Sequence, residues 1–351
     1  MKGKHAPKPP FPWGLQHCHP DWTIARDRRL AYDPGMSPMI ETVLFVFSLV
    51  ALGYLAGLTG YLKAEAGDAL SQFAVGVALP ILLFRTMVSA DFHGAMPWAL
   101  WMTYFGAVIV AWTAGHLVVT RGFGRDAQVG VVGGVSTAFS NLLLLGIPFM
   151  LGVFGQQGVD ILSLIISVHL PTMLAASIIM FELFGDSGGE RVHPLQMARD
   201  FLRRLYKNPL IVGILAGLAW RFAGVPVPGL ALRLTDAIAG IAGPLALFAM
   251  GLGLRKFGIS GNVKPAFALS GLKLILMPAV ALVMALLLGL PPVPAKVVVA
   301  AAALPSGVNS YLIATQLGTG QALASNQMTI ATACAAVTTA FWLTIAQATF
   351  G

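Results

Sequence analysis

The sequence predicts an all-α integral membrane protein with ten transmembrane helices, arranged as two inverted repeats of five. Three observations predict this fold. First, the chain is 57% hydrophobic and only 10% charged, with a mean hydropathy of +0.79, whereas about 25% of the residues in soluble domains are charged. Second, the apolar residues fall into ten long runs. Third, the runs of the second half resemble those of the first half in order and approximate spacing.

The ten apolar runs are each about 20 residues long, the length that a helix needs to cross a hydrocarbon core about 30 Å thick. They are centred roughly at residues 50, 78, 108, 140, 171, 215, 244, 277, 305 and 336. The longest polar stretch divides them five and five. The expected organisation is a polar tail at 1–38, a first repeat at 39–184, a cytoplasmic linker at 185–206 and a second repeat at 207–351.

The polar tail carries six Lys or Arg residues and lacks the apolar stretch of a signal peptide. One hypothesis is that translation begins at Met36 or Met39. His17, Cys18 and His19 are residue types that bind metals, but no second cluster completes a site. We therefore predict neither a metal nor a cofactor.

Basic residues favour the loops that follow odd-numbered spans, whereas the other loops carry only Arg221, Arg233 and Lys296. The positive-inside rule then predicts that the odd loops are cytoplasmic and that both termini lie outside. The net charge of +8 is dispersed over short loops, which argues against nucleic-acid binding. The basic residues of the odd loops are Lys63, Arg121, Arg125, Arg191, Arg199, Arg203, Arg204, Lys207, Arg255, Lys256 and Lys264.

The two halves can be matched span by span. Gly53 in the first span and Gly213 in the sixth are each followed closely by the residues LAGL, and both faces carry small residues suited to close helix packing. The second span contains ALPILLF at 78–84 and the seventh contains GPLALF at 243–248. Because five is an odd number, the second half enters the membrane from the opposite side, which predicts an inverted repeat.

The fourth and ninth spans are both interrupted. They read AFSNLLLLGIP and AAALPSGVNSYL, with Gly146 and Pro148 in the first stretch and Pro305 and Gly307 in the second. Proline cannot donate a backbone hydrogen bond, and such a break is tolerated in a membrane only where protein or a wet cavity covers it. Paired breaks in corresponding spans are typical of a transporter site near the middle of the bilayer.

The predicted binding site is built from the polar and helix-breaking residues of these two stretches. Exposed backbone dipoles and short polar side chains would face a solute there. The alternative is that the prolines only kink the helices and the polar side chains cap freed carbonyls inside the bundle. The predicted site residues are Ser140, Asn141, Pro148, Pro305, Ser306, Asn309 and Ser310.

Two charged residues inside spans are further candidates. Lys273 lies in the eighth span, where a buried ammonium would attract an anion or couple transport to protons. Alternatively, it snorkels to an interface or pairs with Asp236 or Glu182. Asp236 in the seventh span would carry protons or pair with Arg233.

Other titratable residues inside spans have simpler interpretations. Arg85 follows the second apolar run and is interpreted as an anchoring or snorkelling residue. His116 and His169 lie well inside spans and titrate near neutral pH. Both are interpreted as core histidines with satisfied hydrogen bonds.

The chain resembles the auxin efflux carrier family, the bacterial relatives of the plant PIN proteins within the bile acid, arsenite and riboflavin transporter superfamily. The resemblance covers 39–351 and rests on LPILLF at 79–84, SNLLLLGIP at 140–148, NPLIVGILAGL at 208–218, GPLALFAMGLGL at 243–254, LKLILMP at 272–278 and ALPSGVNSYLIA at 303–314. It implies ten helices in two inverted repeats, with solute held where the fourth and ninth helices cross near Pro148 and Pro305. It also implies elevator-like transport of organic anions, and dimers are common among such carriers.

The sequence therefore predicts a secondary transporter for small organic anions such as carboxylates, in the bacterial inner membrane. Its partners would be the solute, the lipid bilayer and, by resemblance, a second copy of the chain. No ATP-binding motif G-x-x-x-x-G-K-[ST] is present. Two alternatives stay open: a membrane sensor that binds without transporting, and an intramembrane enzyme, for which the sequence shows no catalytic motif.

Overall fold

The computed structural model describes residues 38–89, 97–184, 209–254, 261 and 263–351, and these residues are almost entirely helical. The predicted linker, and the predicted tail apart from Pro38, lie outside the described residues. The helices are α1 (Pro38–Leu58), α2 (Ala64–Phe73), α3 (Leu79–Ser89), α4 (Pro97–Leu117), α5 (Ala127–Ala138), α6 (Ile147–Leu183), α7 (Pro209–Ala223), α8 (Gly229–Leu254), α9 (Val263–Gly271), α10 (Met277–Leu287), α11 (Pro292–Ala303), α12 (Val308–Gln316) and α13 (Gln321–Phe350).

Single turns of the wider π-helix extend or join several of these helices. One joins α2 to α3, one ends α4, one precedes α6 and one joins α9 to α10. A π turn inserts an extra residue and rotates the side chains that follow it, and such turns are frequent at functional sites. The π turns are Ala74–Ala78, Val118–Gly122, Leu142–Gly146 and Leu272–Leu276.

Within the described residues, seven helical stretches are long and apolar enough to cross a membrane. Three features account for the difference from the ten predicted spans. Leu142–Leu183 contains parts of two predicted spans, which meet at a sharp turn at Gly155, where φ is +63°. Pro209–Ala223 is apolar but short. The ninth predicted span is divided between α11 and α12. The chain is thus an all-helical, multi-pass membrane protein.

Glycines allow the backbones of two helix pairs to touch. Gly53 of α1 faces the Phe248 carbonyl of α8, and Gly251 of α8 faces the Val50 carbonyl of α1, so neither position has room for a Cβ atom. Gly213 of α7 approaches the backbone of α3 in the same way. The close packing predicted for the faces around Gly53 and Gly213 is confirmed. Short approaches of this kind increase dispersion contacts between membrane helices.

The α1–α8 contact leads to a stability prediction. A Cβ at position 251 would collide with the α1 backbone, so Gly251→Ala should force the helices apart and reduce stability by about 1–3 kcal/mol. Gly240→Ala is the matched control, because it lies in the same helix with open space around it. Melting temperatures of the purified variants in detergent would check the prediction. Equal melting temperatures for the two variants would contradict it.

Candidate functional site

Two helices are interrupted in the middle of the protein, and their sequences explain why. Helix α11 ends at Ala303 because proline disfavours a helical conformation in the residue before it, and Leu304 is extended with ψ of 145°. The chain becomes helical again at Val308. Helix α5 ends at Ala138, after which Phe139 is extended with ψ of 105°. Each break therefore exposes a short length of non-helical backbone.

The two breaks meet and bond to each other. Ser140 and Ser306 form an isolated antiparallel bridge, and the Asn141 amide donates to the Pro305 carbonyl at 2.9 Å. Gly307 lies against the Asn141 side chain, where an added Cβ would be only 3.1 Å from the Asn141 Cβ. The interrupted helices thus cross at these residues, which we call the crossing.

Helix ends at the crossing leave carbonyl groups without intrahelical donors, and side chains supply the missing bonds. The Ser306 hydroxyl donates to the Ser136 carbonyl in the last turn of α5. The Lys273 ammonium donates to the Ala302 carbonyl in the last turn of α11 at 2.7 Å. Unsatisfied carbonyls in hydrocarbon cost several kcal/mol each, so these bonds make the breaks tolerable.

Lys273 is a fully buried ammonium carried by the π turn Leu272–Leu276. Its other contacts are the Ser140 hydroxyl at 2.8 Å and the Met277 sulfur at 3.0 Å. Within the described chain, none of its hydrogen-bond partners is a carboxylate, so the snorkelling and ion-pair alternatives do not describe its position. A buried positive charge with only neutral partners favours an anion nearby.

A small cavity opens beside the crossing. Its polar lining consists of Ser140, Asn141, His169 and Asn309. Its volume is about 20 Å³, which is room for about one water molecule. The remaining lining is apolar and comprises Phe139, Leu142, Leu143, Ile166 and Leu170.

Helix N-termini also lie at this cavity. The helical segment that begins at Leu142 contributes Leu142 and Leu143 to the lining, and α12, which begins at Val308, contributes Asn309. The N-terminus of a helix carries partial positive charge and unpaired N–H groups, which favour an anion. Together with Lys273 behind Ser140, they make the region electropositive.

The structure divides the predicted site residues into those that line the cavity and those that hold the crossing. Ser140, Asn141 and Asn309 line it. The hydroxyls of Ser306 and Ser310 are fully buried and bond to backbone carbonyls. Pro305 accepts the Asn141 amide. Pro148 does not mark the fourth-span break: it lies directly after the π turn Leu142–Gly146, whose altered backbone hydrogen bonding lets the helix continue through the proline, and it packs near Gly243.

Asp236 lies elsewhere. Its carboxylate accepts a hydrogen bond from the Arg85 guanidinium at 2.6 Å, and the two side chains are 50% and 28% exposed. This pair joins α3 to α8, and neither residue lines the cavity.

His169 is the cavity residue that the sequence interpretation missed. The core-histidine interpretation assumed satisfied ring nitrogens, but both nitrogens lack a hydrogen-bond partner in the described part of the chain. The signal that could have singled it out is its titratable side chain well inside an apolar span.

The serines at the crossing give a testable contrast. Ser306→Ala should lower the free energy of unfolding by about 1–3 kcal/mol, because the Ser136 carbonyl would be buried without that donor. Ser310→Ala should lower the free energy of unfolding by less, because the Gly307 carbonyl also accepts a hydrogen bond from the Ser310 N–H at 3.2 Å. Melting temperatures in detergent would compare the two, and equal losses would show that Ser306 does not secure the crossing.

Comparison with known proteins agrees with this architecture. Residues 38–343 match the family described as "Membrane transport protein". The chain is 27% identical over 309 residues to an uncharacterized transporter of Methanothermobacter thermautotrophicus, covering 86% of this chain and 96% of that protein. It is 29% identical over 315 residues to a "Putative malonate transporter" of Rhizobium meliloti, covering 85% of this chain and 92% of that protein. A third relative, the lysosomal cholesterol signaling protein of Mus musculus, is 24% identical over 243 residues, covering 66% of this chain and 28% of that protein. The chain therefore belongs to the membrane transport protein family, the auxin efflux carrier-like proteins, and is a multi-pass membrane transporter.

Proposed function

We propose that this protein is a secondary transporter for small organic anions such as carboxylates. The observation that carries the proposal is the crossing, where two helix N-termini line a small cavity and the buried Lys273 ammonium lies behind Ser140 in its wall. Each of these features stabilises negative charge. A carboxylate bound beside Asn141 and Asn309 would supply the charge that the neutral partners of Lys273 do not.

We further propose ten spans in two inverted repeats. The glycine contacts support this arrangement, because the first span packs on the seventh through Gly53 and the sixth packs on the second through Gly213. In an inverted repeat, a twofold axis in the membrane plane would exchange these two pairs. Both termini would then lie outside, in the inner membrane of a bacterial-type cell. A homodimer is the proposed assembly.

An elevator-like cycle of alternating access fits the dimensions of the cavity. A volume of about 20 Å³ accommodates water but not a dicarboxylate, so binding requires rearrangement around the crossing. Discrete conformations that expose the binding site alternately to the two sides are the expected behaviour of inverted-repeat carriers.

Malonate is a suitable first solute, because one of the relatives carries its name. Purified protein in liposomes would be tested by solid-supported-membrane current recording and by radiolabelled uptake, with malonate, malate, succinate, lactate and indole acetate at two pH values. We expect saturable current or uptake for at least one of these anions. Protein-free liposomes provide the baseline, and the absence of both signals for every anion would contradict the proposal.

A membrane sensor is the second candidate function, because one relative is named a signaling protein. A sensor would bind the solute without completing a transport cycle. Ligand-induced thermal stabilisation of the purified protein, together with no accumulation or exchange in liposomes, would favour the sensor over the transporter.

The charge of Lys273 gives a direct prediction. Lys273→Met should reduce carboxylate transport more than tenfold at equal amounts of folded protein, because one hydrogen bond to a charged group is worth about 1.5–3 kcal/mol. Lys296→Met is the matched control, since that ammonium bonds to Gln347 and Gly351 near the C-terminus, away from the cavity. Wild-type transport by folded Lys273→Met protein would rule out a role for the charge.

A further inference from the structure

His169 occupies an unusual position in the cavity wall. The side chain is only 3% exposed, and its ring packs edge to face on Phe139 and Tyr104, with centroid distances of 4.6 and 5.4 Å. These contacts fix the plane of the imidazole. Neither ring nitrogen has a hydrogen-bond partner among the described residues.

A neutral imidazole has one N–H donor and one acceptor nitrogen. Leaving both unmatched in an apolar environment is unfavourable, and buried polar side chains in proteins are nearly always hydrogen-bonded. Phe139 and Tyr104 pack on the ring with aromatic carbon, and His169 is also one of the residues that line the cavity. The missing partner can therefore come from the cavity, as water when it is empty and as solute when it is loaded.

The polar groups of the cavity differ in what they offer. Asn141, Asn309 and the two helix N-termini provide donors for one anionic group. Lys273 reaches the cavity only through the Ser140 hydroxyl, which accepts a hydrogen bond from the Lys273 ammonium. Among the titratable side chains described, His169 is the one that lines the cavity itself. Because an alkyl group offers neither a donor nor an acceptor, an apolar end of the solute beside His169 would leave the ring nitrogens unmatched.

We propose that His169 is a specificity-determining residue that hydrogen-bonds to a second oxygen group of the solute. The preferred class is then a short hydroxy acid or dicarboxylic acid, and a simple monocarboxylic acid such as acetate is disfavoured. The polar atoms near the helix N-termini hold the first carboxylate, and the imidazole matches the hydroxyl or carboxylate at the other end. This inference rests on the proposed transport of organic anions.

The test uses the full chain in liposomes, with radiolabelled malonate as the transported probe and acetate as the competing monocarboxylate. His169→Leu introduces an apolar side chain of similar size without hydrogen-bonding atoms, and His169→Asn retains a donor and an acceptor. The control is His116→Leu, because the His116 ring stacks on Phe184 and does not line the cavity.

We expect His169→Leu to raise the KM for malonate about tenfold to a hundredfold and to leave the inhibition by acetate unchanged. His169→Asn should recover part of the preference, and His116→Leu should behave as wild type. If the wild type transports malonate and His169→Leu keeps the same preference for malonate over acetate, the role of His169 is overturned and the proposed function is not. An inactive wild type would overturn the proposed function, and the inference with it.

A measurement on the unmodified chain covers the case in which the variants do not fold. Diethyl pyrocarbonate modifies accessible imidazoles, and mass spectrometry reports the modification of each histidine. Malonate should slow the modification of His169 and leave that of His116 unchanged. Modification of His169 that is measurable without malonate and equally fast with it would overturn the inference.

Discussion

The structure depends on one constraint, which is that backbone polar groups inside a membrane must find partners within the protein. Interrupting α5 and α11 frees several carbonyl groups at the same depth, and the crossing satisfies them through one serine hydroxyl, one lysine ammonium and one backbone amide. Each partner comes from the other interrupted helix or from the neighbouring π turn. The breaks are therefore mutually dependent, because neither helix could end where it does without the other.

Lys273 connects this structural role to the chemistry of the site. Its ammonium satisfies the Ala302 carbonyl and the Ser140 hydroxyl, so the same charge that stabilises the end of α11 lies directly behind the cavity wall. The π turn explains how a lysine inside an apolar helix comes to face the crossing, since the extra residue rotates the helix face. If the protein transports an anion as proposed, one buried charge would both stabilise the fold and attract the solute.

Sequence reasoning predicted the features that follow from local chemistry. It located the break at Pro305, because proline acts on its own neighbours, and it identified glycine faces that pack closely. It placed the fourth-span break near Pro148, whereas the chain opens at Phe139, because the π turn before Pro148 lets the helix continue through the proline. Properties set by distant contacts were not predictable, such as the bond between the Ser306 hydroxyl and Ser136 or the unmatched nitrogens of His169.

The bridge between Ser140 and Ser306 also has a mechanical consequence. It links the two interrupted helices through main-chain atoms, so any rearrangement that keeps these bonds carries both breaks as one rigid unit. The cavity wall formed by the breaks would then keep its shape as the unit travels. In an elevator-like cycle, sliding would then occur along the surfaces that this unit shares with the rest of the protein. The energy barrier to movement would then depend on contacts away from the groups that bind the solute. Substitutions could therefore change the transport rate without changing selectivity.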